Sequence, residues 1–351
     1  MTLNVGLTYN LKRQPRTDEG LPEDFYVEFD DEKTVNAIAD ALRKGGCKVT
    51  KIEADEEAYN KLRKLKLHIV FNIAEGLRGE SRESHIPVML EMLGIPYTGS
   101  GPLTLAIKLD KAMTHRVLST YAVPSPLFQV FKSADEPIDR KLSFPCVVKP
   151  LAEGSSKGVR NNSLVRDETK LREQVSWVID SYGQPAIAEE FLSGREFTVG
   201  LIGNSKPTVL PIVEIQLDKL PSGASPLYSY EAKWIWDVPE KPLDIFRCPA
   251  GIPQSLEREI RRIAVKTFIG LNCQDVCRVD IRLDGKGKPR VLEVNPLPGL
   301  IPDPDAHSCL PEAAMAAGYS YDELICTILW QALKRYGLQN LFEGKSLVKL
   351  F

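Results

Sequence analysis

The sequence predicts an α/β fold that opens on a small doubly wound parallel sheet. Two observations carry this. Over residues 3–72, strand-like apolar runs alternate with helical runs in the order βαβαβ. Further on, short apolar runs bounded by turn residues are interleaved with amphipathic stretches, and the last two runs form a hairpin carrying acids, residues 278–299. A chain of 351 residues is long enough for two or three packed subdomains. Its 43% apolar and 26% charged content is that of an ordinary globular protein rather than a disordered or membrane-embedded one.

Taken in order, residues 3–9 read as a strand, and the polar segment with Pro15, Gly20 and Pro22 as a loop over a site. Residues 33–45 read as a helix, because Val35, Ile38, Ala39 and Leu42 share one face and Gly45-Gly46 ends the run. Residues 47–52 form a second strand, 58–66 a short helix and 68–72 a third strand. Parallel sheets of this kind bind ligands at the carboxyl ends of their strands. That marks Tyr9, Asn10 and residues 72–75. A helix at 80–93 closed by Gly94, a linker IPYTGSGP at 95–102 and a helix running to 121 follow. Strands are expected at 126–131, 143–149, 186–191, 195–202 and 207–214, and helices at 167–180, 253–270 and 321–336. Residues 222–249 are long, polar and aromatic, the composition of a substrate-side loop.

A formal net charge of -2 gives no bulk electrostatic reason to expect nucleic acid or an anionic membrane. No apolar run approaches the length of a membrane span, and MTLNVGLTYN lacks the basic and apolar regions of a signal peptide. Seven scattered cysteines, an odd count without framework spacing, predict reduced thiols in a cytoplasm. Cys273 and Cys277 are the closest pair, and none of the four histidines (His68, His85, His115, His307) is near them, so no zinc site is expected.

The chemistry is concentrated in RVDIRLDGKGKPRVLEVNPLPG, residues 278–299, two strands around the turn Asp284-Gly285-Lys286-Gly287. Alternation puts Arg278 with Asp280 on one face and Glu293 with Asn295 on another. If the two faces coincide, three oxygen donors, Asp280, Glu293 and Asn295, suit Mg²⁺, with Arg278 beside them; the alternative is a solvated edge. Val279, Ile281, Val291, Leu292 and Val294 cover much of the rest, and a carboxylate so buried needs a cation.

FPCVVKPLAEGSSKGV, residues 144–159, ends a strand at Lys149 and enters a loop with Glu153, Gly154, Ser155, Ser156 and Gly158. Such a loop either folds its N–H groups over an anion as a flap or is a plain polar turn. It is not a Walker A loop, whose Lys follows the glycines. In IAEEFLSGREFTV, Glu189, Glu190 and Leu192 leave a strand where backbone groups can meet an adenine edge, and Glu196 can accept from a ribose; the alternative is solvated acids. Lys233 in YSYEAKW and Lys111 in KLDKAMTH can each reach a phosphate, or be surface lysines. Arg78 and Arg82 in EGLRGESRES can meet a carboxylate or form helix-start salt bridges.

The order LDK, VKPxxEGSSxGV, EEFLSGREFTV, YEAKW, RVDIRLD and LEVNPLPG, with EGLRGESRE and IPYTGS upstream, resembles the D-alanine–D-alanine ligases of the ATP-grasp superfamily. The resemblance runs from about Val70 to the end and implies an ATP-grasp fold. In that fold an N-terminal doubly wound sheet, residues 1–103, precedes two α+β subdomains, 104–185 and 186–351, that clamp ATP. It implies an ADP-forming carboxylate–amine ligase working through an acyl phosphate, with ATP and Mg²⁺ (two ions, Mn²⁺ as the alternative). Its partners are then a small carboxylate and a small amine, and the family is commonly dimeric through the first domain. Residue by residue, it implies inner-phosphate contacts from Lys111 and Lys149 and outer ones from Lys233. The flap from Glu153 to Gly158 covers the tail. Adenine meets Glu189, Glu190 and Leu192, and ribose meets Glu196. Metal falls to Asp280, Glu293 and Asn295, and the oxyanion to Arg278 and the Gly299 N–H, while Ser155 keeps the serine of a catalytic Glu–Ser–Tyr network.

The chain departs from that family in the amino-acid site. The glycine-rich first loop is replaced by NLKRQPRTDEGLPEDFYVEFDDE, residues 10–32, where Glu28 or Asp30 stands for the amine-binding Glu. Glu75-Gly76 replaces His-Gly, Trp234 stands for the Tyr, and Ser308 lies in a longer loop, LIPDPDAHSCL. Three readings follow: a ligase of altered specificity, a D-alanine–D-alanine ligase of peptidoglycan synthesis with a drifted loop, and a kinase or nucleotide-binding protein without ligase chemistry.

Overall fold

The computed structural model describes residues 2–13, 21–237, 243–303 and 308–349. Parts of the first loop, of the 222–249 segment and of the loop after the hairpin, including His307, lie outside them.

The first sheet has three parallel strands, β1 (Asn4–Tyr9), β2 (Lys48–Glu53) and β3 (Ile69–Asn72), in the order β2-β1-β3. Helix α1 (Glu32–Lys44) begins where Asp31 accepts from the Thr34 N–H, satisfying a free helix N-terminal donor. Its apolar stripe, Val35, Ile38, Ala39 and Leu42, packs on Leu3, Val5 and Leu7. On the opposite face, Ile52 and Val70 are covered by α2 (Ala58–Lys64) and α3 (His85–Leu93) through Ala58, Leu62, Ile86 and Leu90. Both faces are therefore covered, as the alternation predicts.

The expected single helix up to residue 121 is two helices, α4 (Pro102–Leu109) and α5 (Lys111–Thr120). Asp110 has extended backbone and caps α5 by accepting from Met113 N–H, which turns the chain and aims Lys108 and Lys111 from separate helices. A four-stranded antiparallel sheet follows, ordered β4-β7-β5-β6 from β4 (Phe128–Phe131), β5 (Cys146–Pro150), β6 (Leu164–Val165) and β7 (Ala186–Glu190). Helix α6 (Glu168–Tyr182) covers it over a core of its own, including Phe131, Val148, Leu171 and Val178. The chain returns as β6 only after a short 3₁₀ turn at Asn161–Ser163, not directly from Val159.

The third sheet is ordered β11-β10-β8-β12-β13, with β9 paired to β8. Its members are β8 (Glu196–Gly203), β9 (Thr208–Val209), β10 (Val213–Ile215), β11 (Phe246–Arg247), β12 (Asp275–Leu283) and β13 (Pro289–Asn295). Helix α7 (Gln254–Gly270) packs on one face through Ile260, Ile263 and Phe268. Helices α8 (Cys309–Ala316), absent from the sequence reading, and α9 (Tyr321–Arg335) join this sheet to the first one. Leu310, Ile325 and Leu329 share one core with Leu3, Leu7, Leu42, Ile202 and Val213. Among the described residues no helix is long and apolar enough to cross a membrane, and all seven cysteines are free.

Candidate active site

A cavity of about 270 Å³ lies where the three sheets converge. Its floor is the β12–β13 hairpin. Asp280 pairs in register with Glu293 and Arg278 with Asn295, so the two polar faces coincide. The Asp280 carboxylate accepts from Thr198 Oγ1 (2.6 Å), Arg278 Nε (3.0 Å) and Nη2 (2.9 Å), and Asn295 Nδ2 (2.8 Å). A bulge after Asp280 pairs Ile281 with Val291 and leaves Leu292 unopposed. Leu292 therefore lines the cavity beside Glu293, whereas the sequence reading grouped it with the covering apolar residues.

Lys111 Nζ, at the start of α5, stands 3.1 Å from Glu293 and also donates to the Glu153 carbonyl. Burial pushes the Glu293 carboxyl up, but Lys111, Lys149 and Lys108 outweigh it and hold the acid at about 2. Glu189, on β7, is buried between Lys149 Nζ (2.8 Å) and His115 Nε2 (3.0 Å), and those partners overcome burial to hold it at about 2 as well. Glu196 is bonded by Arg282 (3.2 Å). Both acids singled out for adenine and ribose thus already have cationic partners, while Glu190 and Leu192 line the cavity beside them.

The flap carries Ser155 and Ser156 at φ 51° and 61° and Gly158 at 70°, left-handed backbone on either side of Lys157. A Cβ on Gly158 would stand 2.3 Å from the Pro150 ring, so the position requires glycine. The Trp234 indole donates to the Ser155 carbonyl (3.1 Å) and lies under Lys12 Nζ (4.7 Å). Where the resemblance implies a phenol there is an indole tied to the flap backbone. Lys233, in the π-helical turn Ala232–Trp236, is pulled down to about 8, first by burial and then by Arg278.

On the other side of the cavity, Glu28 accepts from Arg82 (3.0 Å) and Lys157 (3.2 Å), and both cations also meet Glu153. Arg82 is therefore a buried tether between segments rather than a helix-start salt bridge; Arg78 joins no such cluster. Asp30 and Glu75 line the cavity and make no side-chain hydrogen bond or ion pair among the described residues. Burial, with Asp31 nearby, raises Asp30 to about 7; burial, with Glu83 and Glu28, raises Glu75 well above the usual range. Asn10 and Asn72 face inward instead: Asn10 bonds Gly76 and Ala54, and Asn72 accepts from Thr8 and Ala74. Ser308 Oγ donates to the Gly299 carbonyl (3.1 Å), which puts both at the cavity edge.

The sequence reading missed Lys108, ion-paired to Glu83 at 2.5 Å, and also Lys157, His115, Arg282, Asp24 and Tyr228. Each is one charged or polar residue within an ordinary helix, strand or loop, and only the fold brings it to its partner.

The donor set of the hairpin fits Mg²⁺: two carboxylates and an amide oxygen on one half-buried face that opens to the cavity. Among the described residues no three His, Cys, Asp or Glu are grouped so as to hold a metal ion by themselves.

Three sheets closing on a lysine-rich cavity with an oxygen-ligand hairpin define an ATP-grasp ligase. The structure superposes on D-alanine–D-alanine ligase from Bacillus anthracis complexed with ATP (TM-score 0.71, 22% identity, 96% of this chain and 99% of that one). It superposes equally on the VanG D-Ala:D-Ser ligase from Enterococcus faecalis (0.71, 20%, 95% and 100%), and at these identities the likeness shows the fold. Residues 119–330 match the family D-ala D-ala ligase C-terminus. The chain is 31% identical to a D-alanine–D-alanine ligase of Pelotomaculum thermopropionicum over 318 residues, 88% of this chain and 93% of that protein. It is 42% identical to the Sinorhizobium fredii protein designated uncharacterized protein y4sG over 269 residues, 76% and 75% of the two chains. The chain belongs to the D-alanine–D-alanine ligase family, and is an ATP-dependent, ADP-forming carbon–nitrogen ligase acting on small molecules.

Proposed function

We propose that the protein joins an amino acid or similar small carboxylate to a small amine, with D-alanine among the candidates. The observation that carries this reading is the ring of Lys111, Lys149, Lys233 and Arg278 around the Asp280/Glu293/Asn295 face in one cavity. Lys111 and Lys149 hold the inner phosphates, Lys233 the outer one, and the 153–158 flap closes over the tail. Adenine rests near Leu292 and the backbone of Glu190 and Leu192, and Glu196 faces the ribose. Asp280, Glu293 and Asn295 hold Mg²⁺, two ions or Mn²⁺ in their place, and metal supplies charge neutralisation to the transferring phosphoryl group. Arg278, oriented by its two bonds to Asp280, and the Gly299 N–H face the oxyanion formed when the amine attacks the acyl phosphate. Ser155 and Trp234 close that side against water.

Glu28 is committed to Arg82 and Lys157, which leaves Asp30 and Glu75 to receive the substrate ammonium, with Ser308 near the second substrate. The proposed division of the chain is 1–103, 104–185 and 186–351. A homodimer through the first part would cover the exposed apolar side chains Val88, Met92 and Leu103, and seven free thiols fit a cytoplasmic protein. The named relatives favour D-alanyl-D-alanine synthesis as the second reading.

The test is ADP release with Mg²⁺-ATP across D- and L-amino acids, singly and in pairs, with mass spectrometry of each positive. D-alanine turnover to D-alanyl-D-alanine selects the second reading. A different condensed product with D-alanine silent selects altered specificity, and ADP formation without any new amide refutes both.

A further inference from the structure

We infer that Asp24 is a positioning residue that fastens the phosphate flap from the substrate side of the cavity, coupling substrate occupancy to flap closure. The inference rests on the reading above, in which the 153–158 flap covers the nucleotide tail.

Asp24 is fully buried. Its Oδ2 accepts from the Gly158 backbone N–H (3.0 Å), the Tyr182 hydroxyl (2.7 Å) and Arg160 Nη2 (3.4 Å). These donors come from the end of the flap, the residue that follows it by two, and the last turn of α6. Asp24 is thus the junction between the segment that links β1 to α1 and the subdomain that carries the flap. A carboxylate can accept all three at once, and its bonds are stronger than those of a neutral acceptor.

The segment around Asp24 is built to hold it still. Successive turns run Phe25 N–H to the Pro22 carbonyl, Val27 N–H to that of Asp24 and Phe29 N–H to that of Tyr26. The rings of Phe25, Tyr26 and Phe29 pack edge to face with centroids 4.9–6.4 Å apart. Lys157 of the flap lies over the Phe25 ring (5.2 Å) and reaches Glu28 (3.2 Å). At its far end the segment is pinned to the residues just after β1, with Asp30 N–H donating to the Asn10 carbonyl and Lys12 N–H to that of Asp30.

One edge of this strap holds the flap; the other, Val27 to Asp30, lines the cavity where the ammonium-bearing substrate rests. Only Phe25 and Tyr26 separate Asp24 from Val27. A substrate that bears on Val27, Glu28 and Asp30 therefore bears on the group that holds the Gly158 N–H. The flap backbone runs so close to the Pro150 ring at that point that only glycine fits. The strap makes the closed flap depend on an ordered substrate side, which keeps the acyl phosphate from meeting water before the amine.

The experiment uses the full chain, Asp24→Asn and Tyr182→Phe. Asparagine keeps the shape but removes the negative charge from the oxygen on which all three donors converge, and Tyr182→Phe removes one bond while leaving the carboxylate. Mg²⁺-ATP affinity is measured by calorimetry, and backbone hydrogen exchange of 153–160 and of 275–295 is measured with Mg²⁺-ATP bound. For Asp24→Asn, affinity is expected to fall about tenfold, and flap exchange to accelerate at least tenfold with the hairpin unchanged. ADP formed per amide should rise above one with any substrate pair that the wild type condenses. Tyr182→Phe is expected to shift the same readouts by a few-fold. Wild-type affinity and flap protection in Asp24→Asn overturn the inference, as does equal acceleration in flap and hairpin, which would mark Asp24 as merely structural. If the wild type itself fails to bind Mg²⁺-ATP, the reading of the site falls and this inference with it.

Discussion

Lys233 carries a test that separates a phosphate ligand from a surface lysine. Burial and the neighbouring Arg278 pull its ammonium from 10.5 down to about 8. A depression of that size corresponds to about 3 kcal/mol against the charged form. A nucleotide tail placed beside it supplies the missing anion and restores the proton. For free enzyme, kcat/KM for ATP should therefore be level up to about pH 8 and fall about tenfold per pH unit above it. Binding at about pH 9 should take up nearly one proton per nucleotide, and at about pH 7 only about a tenth of one, by simple titration about that midpoint. Calorimetry in two buffers of different ionisation heat reads the uptake, and a coupled ADP assay reads the profile. Lys233→Arg should lose the alkaline limb whatever activity it retains, since a guanidinium does not titrate there. A flat profile to about pH 9.5 in the wild type, with no proton uptake at pH 9, would refute both the environment assigned to Lys233 and its contact with phosphate.

Two further perturbations address the acids. Glu293→Gln removes the carboxylate opposite Asp280 and leaves Lys111 without its 3.1 Å partner. Metal stabilisation of several kcal/mol translates into a turnover loss of about 10²–10³-fold or more, and an active variant in the ADP assay would sink the metal assignment. Glu189 is held at about 2 against an ordinary 4.5 by Lys149 and His115 overcoming burial. A depressed carboxylate contributes stability above its unfolded pKa and loses it as pH falls toward the folded one, here between 4.5 and about 2. The full contribution is about 3 kcal/mol, of which about 1.4 kcal/mol should be gone by about pH 3.5. Urea unfolding of Glu189→Gln should show that much less pH dependence between about pH 6 and 3.5; an unchanged slope would contradict the pairing.

The hairpin face was legible because strand alternation is local, and Arg278, Asp280, Glu293 and Asn295 meet through a register that four residues suffice to define. The bulge at Ile281 left no sequence signal, since Leu292 reads as one more apolar strand residue until its partner strand is known. The parallel sheet was readable for the same local reason. The charge cluster was not: Glu28, Arg82, Glu153 and Lys157 come from three separated stretches, and each alone has the pattern of a solvated side chain. The split at Asp110 was hidden because Asp110 is both a tolerable helix residue and a good cap. The motif resemblance located Lys149 and Glu189, but not that they pair with one another.

Helix α9 lies in one hydrophobic core with both the parallel sheet and the sheet that carries the hairpin, whereas the four-stranded sheet under α6 keeps its own core. Arg335, the last residue of α9, adds a polar clasp by bonding Asp275 at the start of β12 and the carbonyls of Tyr97 and Gly99. For anyone building chimaeras this fixes where the chain can be cut. The first hundred residues cannot be exchanged for those of a relative as a free module, because half of the α9 seam would be left unmatched. The flap-bearing piece has an apolar core of its own, so exchanging it leaves no hydrophobic seam unmatched, but the replacement must carry partners for Asp24, Glu28 and Arg82.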